Sequence, residues 1–305
     1  MKVAVTGATG VIGRSAVPEL VAAGHEVVAL ARTPEKARWL EDAGARAVVG
    51  SIGDQEGLER MFDGCDAVCN FATRVPVGLS AALPRAWREN DRLRTEGVRG
   101  IVAAARAAGV RRVVQESVSF LYADHGDDWI TEQSTVGITP VTEPACVGEA
   151  HVQDFAQGPR FGVVLRLGSI VGDDDLTRWL LKSVQHGRPV GLGDPEGWAH
   201  LVHADDIGSA VLAALTAPSG VYNVGAEPVR RSDLVQGYAE AAGRDEVGFV
   251  GPVLRRIAGA RMEPLTRSLR VSSEHFTALT GWTPRRATFD ASWFDVVDAR
   301  TPALH

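Results

Sequence analysis

Short apolar runs alternate with alanine-rich amphipathic segments through the first half of the chain. Apolar runs that are nearly continuous predict strands covered on both faces, as in a parallel sheet. We predict strands at 2–6, 25–31, 46–49, 66–71, 112–116 and 162–167, and helices at 14–23, 35–43 and 87–108. Their regular alternation predicts an α/β fold with a doubly wound parallel sheet of the Rossmann type.

The pattern becomes less regular after Gly168, where Gly, Pro and Trp residues cluster at 187–198 and an arginine-rich stretch follows at 255–270. We interpret this change as a smaller C-terminal substrate-binding domain, built from inserted segments. The Rossmann domain is predicted to cover residues 1–168 plus a segment near 200–224. The substrate-binding domain is predicted to cover 169–199 plus 225–305.

The formal net charge of −6 gives no general attraction to nucleic-acid phosphates or anionic membranes. Three cysteines, Cys65, Cys69 and Cys146, lack the spacing of a zinc site, and their odd number is typical of reduced thiols. No apolar stretch approaches the ~18 residues that a membrane span needs. We therefore expect a cytoplasmic protein without a metal, acting on a small molecule and not on nucleic acid or a membrane.

A glycine-rich turn, VAVTGATGVIGR at 3–14, lies between the first strand and the first helix. In such a turn Gly7 permits the tight bend, Gly10 lets a pyrophosphate approach the backbone, and Gly13 lets the helix pack on the sheet. The phosphates would face unpaired amides and the positive end of the helix dipole. The further cofactor-binding residues predicted here are Thr9, Val11 and Ile12.

The end of the second strand favours NADP over NAD. An acid at this point would bind the ribose hydroxyls of NAD and repel a 2′-phosphate, but the sequence is ALARTPEK. Arg32, helped by Arg14 or Lys36, could pair with that phosphate. The alternative is that Arg32 lies on a solvated loop.

Several segments together resemble the extended short-chain dehydrogenase/reductase family, which contains nucleotide-sugar epimerases, dehydratases and related reductases. They follow the family's order through nearly the whole chain: TGATGVIG at 6–13, NFAT at 70–73, AAARAAGVRRVVQESV at 103–118, VVLRLGSIVG at 163–172, LVHADDIGSAV at 201–211, VYNVG at 221–225 and LTGWTPRR at 279–286.

The resemblance implies roles for individual residues. Ala72 and Thr73 would line the cofactor, and Ser117 to Ser119 would lie near the nicotinamide ring. Ser51 stands where these proteins commonly have an acid near the adenine. The family also implies a monomer or a homodimer.

The family's usual catalytic pair, YxxxK on the helix after the fifth strand, is absent. That helix is expected near 139–155, which contains neither Tyr nor Lys, and no lysine occurs between Lys36 and Lys182. The chain is therefore an atypical member in which another group must exchange the proton, or none does.

Several side chains could replace the pair. Tyr122 is the first candidate, because Asp124 and His125 follow it closely, although such a cluster is more often a solvated turn. Ser117 and Ser119 could polarise a carbonyl or simply cap the strand. Glu149 lies on the helix where the pair is missing. His203 and Asp206 match a motif that we interpret as helix-start and interdomain contacts.

The predicted second domain offers substrate-lining candidates that could equally be core residues: Trp179, Trp198, Phe249 and Arg178. Basic groups for a diphosphate are also available at Arg255, Arg256, Arg261, Arg267 and Arg270. The favoured function is an NADP(H)-dependent oxidoreductase of a small carbonyl or enone-type molecule, with non-standard catalytic residues. A non-catalytic dinucleotide-binding sensor or assembly protein is the alternative, and a nucleotide-sugar epimerase or dehydratase ranks third.

Overall fold

A computed structural model describes residues 1–251, 262–295 and 297. Its centre is a seven-stranded sheet in the order β10-β6-β5-β4-β1-β2-β3, and every pairing in it is parallel. The predicted doubly wound Rossmann sheet is confirmed. The strands of this sheet are Lys2–Thr6 (β1), Glu26–Ala31 (β2), Arg46–Val49 (β3), Ala67–Asn70 (β4), Arg112–Val118 (β5), Phe161–Leu167 (β6) and Gly220–Val224 (β10).

Two short strand pairs lie outside this sheet. They are β7 (Ser169–Val171) with β9 (Leu201–His203), and β8 (Trp198–Ala199) with β11 (Val229–Arg230). The helices of the described residues are Val11–Ala22 (α1), Pro34–Asp42 (α2), Gln55–Phe62 (α3), Pro84–Arg92 (α4), Val98–Ala107 (α5), Glu143–Phe155 (α6), Asp175–Gln185 (α7), Ala204–Ala214 (α8), Arg231–Ala241 (α9) and Glu274–Thr280 (α10). None of them combines the length and apolar character that crossing a bilayer requires.

Apolar side chains cover both faces of the sheet, which explains the continuous apolar strands. One core contains Leu20 of α1 and Val211 of α8. The opposite core contains Ile101 of α5 and Phe155 of α6. The helix predicted at 87–108 corresponds to α4 and α5. A π-helical turn at Leu93–Gly97 joins the two without a break.

A third core lies among the elements after β6. It joins α7, α9 and a short 3₁₀ helix (Ala291–Phe294) through Leu181, Tyr238 and Trp293. Phe276 of α10 and Trp282 belong instead to the core of the main sheet. The predicted second domain thus contains a helix that packs on the main sheet, and the boundary at 225 stays a prediction.

Candidate functional site

A cavity of about 2050 Å³ runs along the carboxyl ends of the sheet strands, bordered by residues that follow β1, β2, β4, β5 and β6. Ligands of open α/β sheets bind at this edge. Eleven Arg and Lys residues and five Asp and Glu residues line it, although the whole chain has a net charge of −6. The positive charge is thus concentrated where it can attract an anionic ligand.

The three glycines of the first turn have three different surroundings. Gly7 has a φ of 68°, and an added Cβ would lie 2.3 Å from the carbonyl carbon of Phe71. At Gly13 an added Cβ would lie 2.4 Å from the carbonyl carbon of Ala8. At Gly10 it would meet only the Gly7 oxygen, at 3.4 Å. A side chain at position 10 would therefore extend into the cavity.

The amino end of α1 is open to a ligand. Gly10 is its N-cap, so no side chain caps the first amides, and its first turn carries no acid. Thr9, Val11 and Ile12 border the cavity beside it. These features suit a phosphate, because the first-turn amides and the helix dipole both favour an anion.

A chain of buried side chains fixes the strand ends below the cavity. Asn70 Oδ1 accepts hydrogen bonds from Thr6 Oγ1 at 2.6 Å and from the amide of Ala72 at 3.2 Å. Asn70 Nδ2 donates to Gln115 Oε1 at 2.7 Å. These hydrogen bonds link β1, β4 and β5 and hold Ala72 at the cavity edge. Thr73 also lines the cavity.

Three cations gather at the end of β2. Arg32 and Lys36 both line the cavity, as does Arg74 from the loop after β4. Partial burial, followed by the charges of Arg32 and Arg74, lowers the pKa of Lys36. Mutual repulsion of this kind is relieved when a dianion binds among the cations. The sequence pointed to Arg32 and Lys36 but not to Arg74, because only the fold brings that loop beside β2.

A buried ion pair lies behind the end of β5. Arg166 of β6 donates to both carboxylate oxygens of Glu149, at 2.9 and 2.7 Å, and Ser117 Oγ donates to the same carboxylate at 2.5 Å. Burial alone would lower the pKa of Arg166, but the hydrogen bonds and charge of Glu149 raise it above its ordinary value. Glu149 does not border the cavity.

A second buried ion pair borders the cavity itself. The terminal nitrogens Nη1 and Nη2 of Arg94 lie 3.1 and 3.2 Å from the carboxylate oxygens of Glu116. Burial and, to a smaller extent, Glu149 raise the pKa of Glu116, while Arg94 opposes the rise. Arg94 belongs to the π-helical turn, a feature that often marks functional sites.

Comparisons with known proteins agree with this geometry. The family model described as "NAD dependent epimerase/dehydratase family" matches residues 3–225. The chain belongs to that family. It is 31% identical to a 3-diazoavenalumate denitrifying reductase of a Streptomyces species, over 97% of this chain and 98% of that protein.

Two further similar proteins cover very different shares of the chain. A 4-hydroxy-2-methyl-3-oxo-4-farnesyl-3,4-dihydroquinoline-1-oxide ketoreductase of Stigmatella aurantiaca is 32% identical over 41% of this chain and 35% of its own. The structure of MoeE5 in complex with UDP-glucuronic acid and NAD superposes with a TM-score of 0.76 and 25% identity, covering 96% of this chain and 98% of that one. This epimerase/dehydratase family member is thus a nicotinamide-dinucleotide-dependent enzyme, an oxidoreductase or an epimerase.

Tyr122 of this epimerase/dehydratase family member is not placed to exchange a proton with a substrate. Its side chain is fully buried, and its hydroxyl donates to Asn223 Oδ1 at 2.7 Å. The guanidinium of Arg166 lies over its ring at 4.8 Å. Burial raises the pKa of Tyr122, which keeps the phenol protonated. Tyr122 does not border the cavity, so its position argues against the catalytic role predicted for it.

The two serines differ in availability. Ser117 and Ser119 both border the cavity and both are buried. The Ser117 hydroxyl already donates its proton to Glu149, so it can offer a substrate only a lone pair. Ser119 follows β5, and its place near the nicotinamide ring stays a prediction.

Not all predicted substrate-lining residues reach the cavity. Trp179 and Arg178 border it, whereas Trp198 and Phe249 do not. Trp198 stacks between Arg230 and Arg270, at 3.9 and 4.7 Å. Trp198 and Phe249 therefore agree with the alternative stated for them, in which such a residue packs within its own domain. Phe249 packs beside Gly191. Among the arginines proposed for a diphosphate, Arg267 pairs with Glu263 at 2.7 Å. Three others lie outside the described residues: Arg255, Arg256 and Arg261.

The HADD segment is structural, as predicted. His203 is the N-cap of α8, and its Nδ1 accepts from the amide of Asp205 at 3.2 Å. The buried carboxylate of Asp206 accepts from the amides of Arg285 and Arg286, at 2.9 and 3.1 Å. It thereby ties α8 to the turn that follows Trp282.

The wall opposite the sheet is mostly apolar and includes residues that sequence reasoning did not identify. They are Trp87, Leu192, Tyr238, Pro264, Leu265 and Leu269, together with the polar His200 and Arg231. His200 is only 2% exposed, and burial lowers its pKa to about 3. Apolar residues around a few polar groups, as in this part of the cavity, are typical of small-molecule sites.

Proposed function

We propose that this protein is an NADP(H)-dependent reductase that delivers hydride to a small electrophilic molecule, a carbonyl or enone-type compound, without a phenolic proton donor. One observation carries the proposal. The helix after β5 presents Glu149, locked by Arg166 and Ser117, where the family resemblance implies a Tyr and Lys pair. A reaction that depends on protein-mediated proton exchange is thereby disfavoured against one in which the cofactor supplies the hydride and water supplies the proton that the reduced product takes up.

The residues around the cavity support NADP as the cofactor. Gly7, Gly10 and Gly13 would hold the pyrophosphate at the open end of α1. Arg32, with Lys36 and Arg74, would bind the 2′-phosphate, and Ala72 and Thr73 would contact the ribose side. When bound, the cofactor supplies a hydride from its nicotinamide ring.

The remaining protein groups would orient the acceptor. Ser119 is proposed to polarise the acceptor oxygen from the end of β5. The apolar wall that includes Trp179 and Leu265 would exclude water and hold a flat, conjugated molecule. Two relatives are named as a 3-diazoavenalumate denitrifying reductase and as a ketoreductase, and both names favour a reductase.

The test is cofactor oxidation by the purified protein. We expect NADPH to be consumed faster than NADH in the presence of trans-cinnamaldehyde, benzylideneacetone or 3-diazoavenalumate. Tight NADPH binding with no turnover of any acceptor would favour the sensor hypothesis instead. Interconversion of UDP-sugars with bound NAD would favour an epimerase, the function most weakened by the missing tyrosine.

A further inference from the structure

Among the described cations that border the cavity, two are buried, Arg94 and Arg231. Arg231 is closed to a ligand, because its Nη atoms donate to three backbone oxygens and its Nε is buried without a partner. Arg94 differs. Within the described residues only its Nη2 donates a hydrogen bond, to Glu116, and no nitrogen of Arg94 is both buried and unpaired. The remaining N–H groups of Arg94 are therefore open to the cavity, although the residue is only 7% exposed.

The guanidinium of Arg94 is held from two sides. Its π-helical turn lies against α6, where a Cβ added to Gly148 would be 2.7 Å from the Arg94 backbone oxygen. Its terminal nitrogens lie 3.1 and 3.2 Å from the carboxylate of Glu116, which directly precedes Ser117 in β5. A donor fixed in this way needs little rearrangement when a ligand binds, and preorganised donors are the ones that stabilise developing charge best.

The order of the strands indicates which part of a ligand Arg94 would meet. The pyrophosphate turn follows β1 and Arg32 follows β2, so the adenosine half of the dinucleotide would extend toward β2 and β3. The nicotinamide half would then extend in the other direction, toward β4 and β5. Arg94 lies with Glu116 near the carboxyl end of β5, close in the chain to Ser117 and Ser119. It is therefore on the nicotinamide side, where the hydride acceptor would bind.

The chemistry of a guanidinium suits a reduction without a phenolic acid. When hydride adds to a carbonyl carbon, or to the β-carbon of an enone, the electron pair of the π bond moves onto the acceptor oxygen. The acceptor is reduced, NADPH is oxidised to NADP⁺, and water supplies the proton that the product takes up. Until then the oxygen carries negative charge, which an always-protonated arginine can stabilise through its N–H groups. Glu116 balances the charge of Arg94 in the empty site, so an uncharged acceptor can enter.

We propose that Arg94 donates a hydrogen bond to the acceptor oxygen of the substrate and stabilises the negative charge that this oxygen gains during hydride transfer. This inference rests on the proposed reductase function, and it adds to the proposed contact of Ser119 a cation that keeps its proton throughout. The substrate class it implies is an uncharged carbonyl compound or enone, whose oxygen becomes anionic only as it is reduced.

The first experiment separates Arg94 from the stability of its ion pair. Glu116→Gln keeps Arg94 without its counter-charge, and Arg94→Gln combined with Glu116→Gln removes both charges, so these two proteins differ only at position 94. With NADPH and trans-cinnamaldehyde we expect the double variant to have a kcat about a hundredfold below that of Glu116→Gln, the usual loss of one oxyanion donor, with KM and NADPH affinity nearly unchanged. Arg94→Lys, which keeps the charge, should recover part of that loss. Arg88→Gln, an exposed change on α4 outside the cavity, is the control. Equal kcat in Glu116→Gln and the double variant would overturn the proposal.

A second measurement separates this inference from the proposed function. The infrared carbonyl stretch of trans-cinnamaldehyde, labelled with ¹³C at the carbonyl, is recorded in the NADP⁺ complex, where no hydride is available. A charge-assisted hydrogen bond from Arg94 should lower the stretching frequency more in the unmodified protein and in Glu116→Gln than in the double variant. A lowered frequency that depends on Arg94, without turnover of any acceptor, would support the contact and contradict the reductase proposal. The same frequency with and without Arg94 would overturn the contact, even in an active reductase.

Discussion

Glu149 of α6 accepts two hydrogen bonds from Arg166 of β6, one at Oε1 and one at Oε2, inside the protein and behind the cavity. A third bond comes from Ser117. Such a pair costs desolvation energy that only complete pairing offsets. Its geometry makes the Glu149–Arg166 pair a structural unit.

Removing one member of the Glu149–Arg166 pair should lower the free energy of unfolding far more than removing both. We expect Glu149→Ala to lower the free energy of unfolding by about 3–5 kcal/mol, because Arg166 is left buried without a counter-charge. The double variant Glu149→Leu with Arg166→Leu should recover most of that loss. Urea unfolding measures both variants. Equal losses in the single and double variants would show that the pair is not the source of the stability.

Restoring a lysine should not restore the family's chemistry. Glu149→Lys would place a second cation beside Arg166, and we expect poor folding or aggregation. The combination with Arg166→Glu reverses the pair and should fold better than Glu149→Lys alone. Soluble yield and thermal unfolding provide the comparison, and a stable, well-folded single variant would contradict it.

Gly10 and Gly13 should separate binding from stability. In Gly10→Ala the added methyl faces the cavity, so we expect NADPH affinity to fall at least tenfold while stability changes by less than about 1 kcal/mol. In Gly13→Ala the methyl meets the Ala8 backbone, and stability should fall by about 1–3 kcal/mol. Calorimetry measures the NADPH affinity of both variants, and thermal unfolding measures their stability. Lost stability in Gly10→Ala, with lost NADPH affinity at full stability in Gly13→Ala, would contradict these roles of the two glycines.

The cations beside β2 should determine the choice of cofactor. Arg32→Ala and Arg74→Ala should each weaken NADPH binding by about tenfold, the value of one charge-assisted hydrogen bond, and leave NADH binding nearly unchanged. Arg38→Ala, an exposed change on α2 outside the cavity, is the control. Equal weakening for both cofactors would mean that these side chains do not contact a 2′-phosphate.

Asp174, the N-cap of α7, should make stability depend on pH. Burial raises its pKa from 3.8 to about 6, so the folded state holds its proton more tightly than the unfolded chain. Its contribution is therefore complete below pH 3.8 and is lost as the pH rises through 6.

Asp174→Asn tests this because asparagine also caps helices and does not titrate. The stability of the variant relative to the unmodified protein should increase by up to about 3 kcal/mol between pH 4 and pH 7, at about 1.4 kcal/mol per pKa unit. Denaturant unfolding across this range gives the difference. Parallel curves for the two proteins would exclude the shift.

The Rossmann sheet and the glycine turn could be predicted because both are local in the sequence. Continuous apolar runs define the strands. The different roles of Gly7, Gly10 and Gly13 follow from their spacing next to β1. Arg32 was identified for the same reason, since it directly follows β2.

The rest of the site depends on contacts between distant segments. Arg74 joins Arg32 only through the loop after β4, and His200 reaches the cavity only because β8 and β9 return to the sheet edge. Tyr122 is the reverse case, because it is close to the site in sequence but not in the structure. The sequence places it one short 3₁₀ turn after the serines, but that turn directs its hydroxyl to Asn223, away from the cavity.

The packing of Phe276 and Trp282 into the core of the main sheet also governs how the chain matures. Trp282 additionally donates its indole N–H to Ser209 of α8 at 3.0 Å. During synthesis the sheet core therefore stays incomplete until Trp282 has left the ribosome. A domain assembled this way folds late and as one unit, so fragments ending after β10 should be captured by chaperones or degraded.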